Sequence, residues 1–322
     1  MRKILGSEST ALLIFTPMDF GKLHNVDHVN FALPTEPWQN AALLAALPSR
    51  QSAAAIYLGA TGYNMRPWVG RWYPTGAREK DFLSYYGRQF NTIEHNTTHY
   101  RIPDAATVAR WREEVPADFR YCPKIPQTIS HARDLGLNGR EIHIFCEAIR
   151  GLGETLGCCF IQLPPYFAPE NLLVLERFLS VFPDDIPLAV EVRHPDFFQE
   201  DAAGSDFFQL LQEHQVATVV TDVAGRRDVC HLRLTTGRVL VRFVGNGLHS
   251  TDYTRVADWS DRLALWFSQG LREAYFFCHE PDNLLAPDLA ARAAAFFSEK
   301  MPEAHLRGPV ELAAPARQGT LF

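Results

Sequence analysis

Residues 187–222, PLAVEVRHPDFFQEDAAGSDFFQLLQEHQVATVVTD, decide how this chain folds. Pro187–Val192 is a short apolar run, Asp206–His214 carries its apolar residues at helical spacing, and Ala217–Thr221 is a second run rich in β-branched side chains. A strand, a helix and a strand in that order form the unit of a parallel sheet. Both strands also end on charge, in Val190-Glu191-Val192-Arg193 and in Val220-Thr221-Asp222.

The same unit repeats outward in both directions. Ala55–Leu58, Thr92–His95, Phe119–Cys122 and Cys159–Leu163 precede it, while Val239–Val244 and Ala274–Cys278 follow, which makes eight strands. Helical patterns separate most of them, at Lys80–Phe90, Arg140–Leu152, Glu170–Val181, Val256–Ser268 and Asp288–Lys300. A further helix is marked by Asp104 as cap and by Val108, Trp111 and Val115 on one face. Only Val223–Gly237, between the sixth and seventh strands, shows no clear helix. Eight alternations predict an α/β protein with a single TIM-type (β/α)8 barrel over residues 53–300. An open doubly wound sheet would show a glycine-rich nucleotide loop after its first strand, and Gly59-Ala60-Thr61-Gly62 does not continue as one. Residues 1–52 read as an N-terminal extension packed on the barrel. Residues 301–322, rich in Pro, Ala and Gly, read as a flexible, loosely ordered tail.

Composition agrees with a globular chain of this kind. Of 322 residues, 47% are hydrophobic and 21% charged, so disorder and coiled coil are excluded for the bulk of it. A net charge of −6 without a long basic run does not indicate direct nucleic-acid binding. Cys122, Cys146, Cys158, Cys159, Cys230 and Cys278 form no C-x-x-C pair, and they read as buried small hydrophobes in a reducing compartment. No apolar run is long enough for a membrane span and no signal-peptide core is visible, so no membrane partner and a cytoplasmic location are expected.

In a TIM-type barrel, chemistry resides at the C-terminal strand ends. Strand alternation predicts that Glu94, Asn96, Lys124, Gln162, Glu191, Arg193, Asp222 and Arg242 share the inward face there, with Ile93, Leu163, Val192, Thr221 and Phe243 facing the helices. Charges inside a barrel are costly unless paired or used. The functional reading takes Glu94, Glu191, Lys124 and Asp222 as catalytic, with Glu94 or Glu191 as acid–base. Asn96, Gln162, Arg193, Arg242, Gly245, His131 and His279 then hold a small anionic substrate. Lys124 as a Schiff-base amine is a variant of this reading. Gly245 and Gly247 after the seventh strand suit a phosphate-binding backbone loop, or a simple turn. A plug of mutual salt bridges, in a non-catalytic binding module, is the alternative. No cofactor is evident. A divalent metal on the three carboxylates and His131 is disfavoured by the cations beside them. His24 and His28, spaced i, i+4, lack a third ligand. Trp68, Trp72 and Tyr73 in the first loop form either a stacking wall or a packed loop.

These strand ends resemble the YecE-like family, also called domain of unknown function 72. The matching stretches are Gly59–Tyr63 with Trp68 and Tyr73-Pro74, Ile93-Glu94-His95-Asn96-Thr97-Thr98, Phe119–Lys124, and Ile129-Ser130-His131. They continue with Ile161-Gln162-Leu163-Pro164-Pro165, Val190-Glu191-Val192-Arg193-His194-Pro195, Val241–Gly245 and His279–Pro287. Val244 and Cys278-His279 stand where many members carry a histidine and an Asn pair, which is similar to the YecE branch. The resemblance implies a TIM-type barrel and no particular reaction. Separately, the chain ends Gln318-Gly319-Thr320-Leu321-Phe322, which is similar to the Q-x-x-L-F peptide that docks on bacterial sliding clamps. Leu321 and Phe322 would be the anchors and Gln318 the rim contact. That resemblance implies, as an alternative function, a clamp-recruited DNA-processing or repair protein, such as a metal-dependent nuclease.

Overall fold

The computed structural model describes residues 21–48, 54–199 and 202–312. In chain order its elements are α1 (Trp38–Ala46), β1 (Ala55–Ala60), α2 (Phe82–Gln89), β2 (Thr92–His95), α3 (Thr97–Tyr100), α4 (Ala105–Glu114), β3 (Arg120–Pro123), α5 (Gln127–Ser130) and α6 (Glu141–Arg150). Then follow β4 (Cys159–Gln162), α7 (Leu172–Val181), β5 (Leu188–Glu191), α8 (Ala202–Glu213), β6 (Ala217–Asp222), β7 (Arg238–Val244), α9 (Ser250–Gln269), β8 (Glu273–His279), α10 (Ala286–Lys300) and β9 (His305–Leu306). The eight expected strands are present, and the cap of α4 is the expected one: Asp104 accepts the Thr107 N–H.

The strands are parallel, in the order β3-β2-β1-β8-β7-β6-β5-β4. Short bridges at Tyr121–Leu156 and Lys124–Phe160 join β3 to β4, with the Ile125 N–H donating to the Phe160 carbonyl at 2.8 Å, so the sheet closes into a TIM-type barrel. Gly59 permits one tight approach inside it, since a Cβ there would lie 2.3 Å from the Thr92 carbonyl oxygen.

Side-chain parity inside the barrel is set by a buried plug of Tyr57, Cys122, Cys158, Phe160, Ala189, Ala217, Val219, Leu240, Tyr275 and Phe277. Tyr57 and Tyr275 stack within it at 4.6 Å. Residues two further along each strand from the plug therefore point into the C-terminal mouth.

Between β6 and β7 there is no α-helix, only a short turn at Arg227–Val229. The N-terminal extension partly replaces the missing element. Asn40 of α1 is fully buried, donates to the Leu232 carbonyl at 2.6 Å, and accepts the Leu234 N–H at 2.8 Å. Glu36 binds Arg262 and the Trp266 indole of α9. After α10, β9 pairs with Ala55 and Ile56 of β1, and Gln89 both donates to and accepts from the Val310 backbone. Residues 301–312 are thus seated on the barrel, and the rest of the expected tail lies outside the described residues. His24 and His28 are exposed and lie outside any helix. All six cysteines are buried and free. Trp68, Trp72 and Tyr73 are core, with the Trp68 indole donating to the Leu284 carbonyl, so the first loop is packed. Among the described residues no helix is long and apolar enough to cross a membrane.

Candidate active site at the barrel mouth

Arg242, on β7 just above Leu240 of the plug, organises the mouth. Its guanidinium grips Glu94 of β2 bidentately, Nε to Oε2 at 2.9 Å and Nη2 to Oε1 at 3.0 Å. Its Nη1 donates to both oxygens of Glu191 on β5, at 2.8 and 3.1 Å. The floor beneath is the Phe160 ring, 5.9 Å from the guanidinium carbon. Arg193 donates to Glu191 Oε1 at 2.8 Å and to Gln162 Oε1 at 2.7 Å, and Asn96 donates to Glu94 Oε1 at 3.0 Å. His279, at the end of β8, lies with Nε2 2.8 Å from Glu94 Oε2. An ionised carboxylate only accepts, so Nε2 is the donor in this contact.

Lys124 is different. It is buried, and its Nζ donates to Gln162 Oε1 at 3.1 Å, an amide oxygen. Among the described residues no carboxylate pairs with it, because both carboxylates of the mouth are held by guanidinium groups.

Electrostatics follow from this arrangement. Burial disfavours the Glu94 carboxylate, but Arg242 and His279 outweigh it and hold the group well below the usual carboxylate range. Glu191 is likewise penalised by burial, and Arg193 and Arg242 bring it down to about 2. Burial first, and Arg242 second, lower Lys124 to about 8. Of these three groups, only the amine titrates near neutrality.

Asp222 does not join them. Ala217 and Val219 belong to the interior plug, so Thr221 faces the mouth and Asp222 faces outward, laterally paired with Phe243. There it is fully buried against Arg255 at 2.8 Å, Arg227, and the Trp259 indole at 2.8 Å. The expected parity was inverted for this strand because β6 is buried on both faces and shows no polar alternation. Asp222 braces β6 to α9. Thr221, which takes the mouth-facing place expected of Asp222, presents a buried hydroxyl without a hydrogen-bond partner among the described residues.

The loop after β7 is not an anion cradle either. The Gly245 N–H goes to the His279 carbonyl at 2.8 Å, the Asn246 N–H to Asp252 at 2.8 Å, and the Gly247 N–H to Glu280 at 2.8 Å. The Glu280 carboxylate occupies the place read as a phosphate site, and a Cβ on Gly245 would meet it at 2.2 Å. Burial raises Glu280 to about 7. The four residues read as a metal set, Glu94, Glu191, Asp222 and His131, are not brought together: Arg242 stands between the first two, and Asp222 faces away. Among the described residues no group of three or more His, Cys, Asp or Glu side chains could hold a metal ion.

His131 sits on the exposed rim, its Nδ1 2.9 Å from Ser130 Oγ, and burial together with Lys124 and Arg193 lowers it. Sequence reading missed the rest of this rim. His99 lies 5.6 Å from His131 ring to ring and 5.3 Å from Tyr100, and Tyr166 donates to the His131 carbonyl at 3.3 Å. All three follow the ends of β2 and β4, which was the available signal. Gln318, Leu321 and Phe322 lie outside the described residues.

Comparison with known proteins bears on the family and the fold. The UPF0759 protein YecE of Escherichia coli K12 is 32% identical over 266 residues, covering 77% of this chain and 94% of its own length. The UPF0759 protein YunF of Bacillus subtilis is 26% identical over 151 residues, 44% of this chain and 52% of that protein. Crystal structures of DUF72 family proteins from Enterococcus faecalis and Thermotoga maritima superimpose with TM-scores of 0.60 and 0.59, at 23% and 24% identity. They cover 80% and 77% of this chain and 99% of each of those chains, and they attest the fold. The model of the family described as protein of unknown function DUF72 matches residues 57–312, and the chain belongs to that family.

Proposed function

We propose that the barrel mouth is an active site for proton-transfer chemistry on a small anionic molecule, with Lys124 as the group that exchanges the proton. One observation carries this reading: Lys124 is a buried amine that donates to an amide oxygen and, among the described residues, has no carboxylate partner, set among guanidinium groups. With a pKa of about 8, roughly a tenth of it is neutral at pH 7, against less than about a thousandth for an ordinary lysine. An incoming carboxylate or phosphoryl oxygen supplies the anion that Lys124 lacks. Arg193 and Gln162 flank it, and His279 is held in the same mouth by Glu94.

The expected roles of Glu94 and Glu191 change in this proposal. Both are held ionised by their guanidinium partners, so neither is placed to give or take a proton near neutrality. They instead fix Arg242, Arg193 and His279 in position.

The test is thermal unfolding of the full chain against a panel of small carboxylated and phosphorylated metabolites. A ligand at one hundred times its Kd adds about 2.7 kcal/mol. Stabilisation by at least one of them, lost in Lys124→Met, is expected. Equal stabilisation of wild type and Lys124→Met would refute the assignment.

A further inference from the structure

The gap left by the missing helix after β6 is only partly filled by α1. Beside it a cleft of about 700 Å³ remains on the outer wall, between residues 34–39, the run 228–233, and the side chains of Phe197, Phe198 and Phe208. That volume lies within the range of small-molecule sites, and the lining shares no residue with the mouth.

Its charges do not balance internally. Glu36 is bound by Arg262, Trp266 and Asn40, and Asp228 by Arg226. His231 uses both ring nitrogens on the backbone, Nε2 on the Val219 carbonyl at 3.3 Å and Nδ1 on the Arg233 N–H at 3.2 Å. Its ring stands 5.3 Å from Phe198 and 5.2 Å from Phe208, and burial lowers its pKa to about 4, so it is neutral. Arg233 is the surplus cation. Its guanidinium lies 6.0 Å from the Phe208 ring, finds no carboxylate partner among the described residues, and leaves Nε buried without an acceptor. Burial alone, with no compensating anion, lowers its pKa.

We propose that this cleft is a second binding site, for a small planar organic anion: a carboxylate carried on an aromatic ring. The planar guanidinium of Arg233 matches a carboxylate in shape and charge, and a single cation suits a monoanion better than a phosphate dianion. Phe198 and Phe208 offer ring faces and edges to a flat apolar body, with exposed Trp38 at the margin.

Isothermal titration calorimetry of the full chain with 2-naphthoate tests it, with 2-naphthol and inorganic phosphate as comparators. Expected is binding of 2-naphthoate at one site, at least tenfold tighter than either comparator. Arg233→Met weakens it at least tenfold. Ser205→Trp, placed at an exposed position of the lining, blocks the cleft without touching the charge and does the same. Lys124→Met leaves it unchanged. Absence of binding to wild type, full affinity in either cleft variant, or loss in Lys124→Met would each overturn the proposal. If Arg233→Met does not fold, the Ser205→Trp result decides.

Discussion

Replacing Arg242 by Met keeps the side-chain stem and removes the one charge that joins both mouth carboxylates. Glu191 would keep Arg193 at 2.8 Å and Glu94 would keep His279 at 2.8 Å, but each buried carboxylate loses a guanidinium partner, which for Glu94 is its strongest. The magnitude can be worked from Glu191, whose carboxyl titrates at about 2 instead of 4.5. At 1.36 kcal/mol per pH unit, that depression corresponds to about 3 kcal/mol of stability at pH 7, contributed by Arg193 and Arg242 together. Removing one member of a buried ion pair costs about 3–5 kcal/mol in general, and Arg242 is a member of two such pairs. The sign with pH is diagnostic. In wild type the depressed carboxylates contribute stability that is fully present above pH 4.5 and is lost as the pH falls towards 2. In Arg242→Met burial prevails at Glu94, which loses its largest compensating partner, so its carboxyl value rises and the unfolded state becomes the stronger acid at that group. The deficit of the variant should therefore be about 3–5 kcal/mol at pH 7 and shrink steadily towards pH 4.5. Urea denaturation at pH 7, 5.5 and 4.5 measures it, with unchanged m-values certifying that the same structure unfolds. A deficit below about 1 kcal/mol, or one independent of pH, would refute the reasoning.

Three further outcomes follow from the same contacts. Lys124 has a folded pKa of about 8 against 10.5, so its charge opposes folding below pH 8 and the opposition is relieved between pH 8 and 10.5; Lys124→Met should be more stable than wild type by about 3 kcal/mol at pH 7, the difference closing by pH 10.5 in the same denaturation assay. Asp222→Asn should cost about 3 kcal/mol, since Arg255 and Arg227 lose a buried partner, while leaving any mouth ligand bound with wild-type affinity in a thermal-shift titration; a selective loss of binding would return Asp222 to the site. The clamp-docking reading of the tail predicts that deleting residues 318–322 abolishes binding to a purified bacterial sliding clamp in surface plasmon resonance, and retained binding would exclude it.

Much of the barrel was legible before any coordinates, and its limits fall at identifiable residues. The strands were found because parallel strands buried on both faces read as short apolar runs. The same property hid the parity of β6, where only the company of Ala217 and Val219 in the plug reveals which way Asp222 turns. The glycines after β7 looked like a phosphate loop because a loop's free N–H groups and a loop's satisfied ones have the same sequence. The satisfying carboxylate, Glu280, comes from the next strand end. The role of α1 was also invisible, since the gap it enters exists only once β6 and β7 stand side by side.

By itself, the sequence determined the order of the strands, the skipped helix after the sixth, and the identities of the polar residues gathered at the C-terminal ends. Those properties are local, written in periodicity over a few residues. Only the tertiary structure decided who pairs with whom. Arg242 meets Glu94, 148 positions away, and Glu191, 51 positions away, while Lys124 is left with an amide. Charge pairing in a closed barrel depends on register and closure, and it is this pairing that turns the carboxylates into fixed anions, while burial first and Arg242 second bring the lysine down towards neutrality.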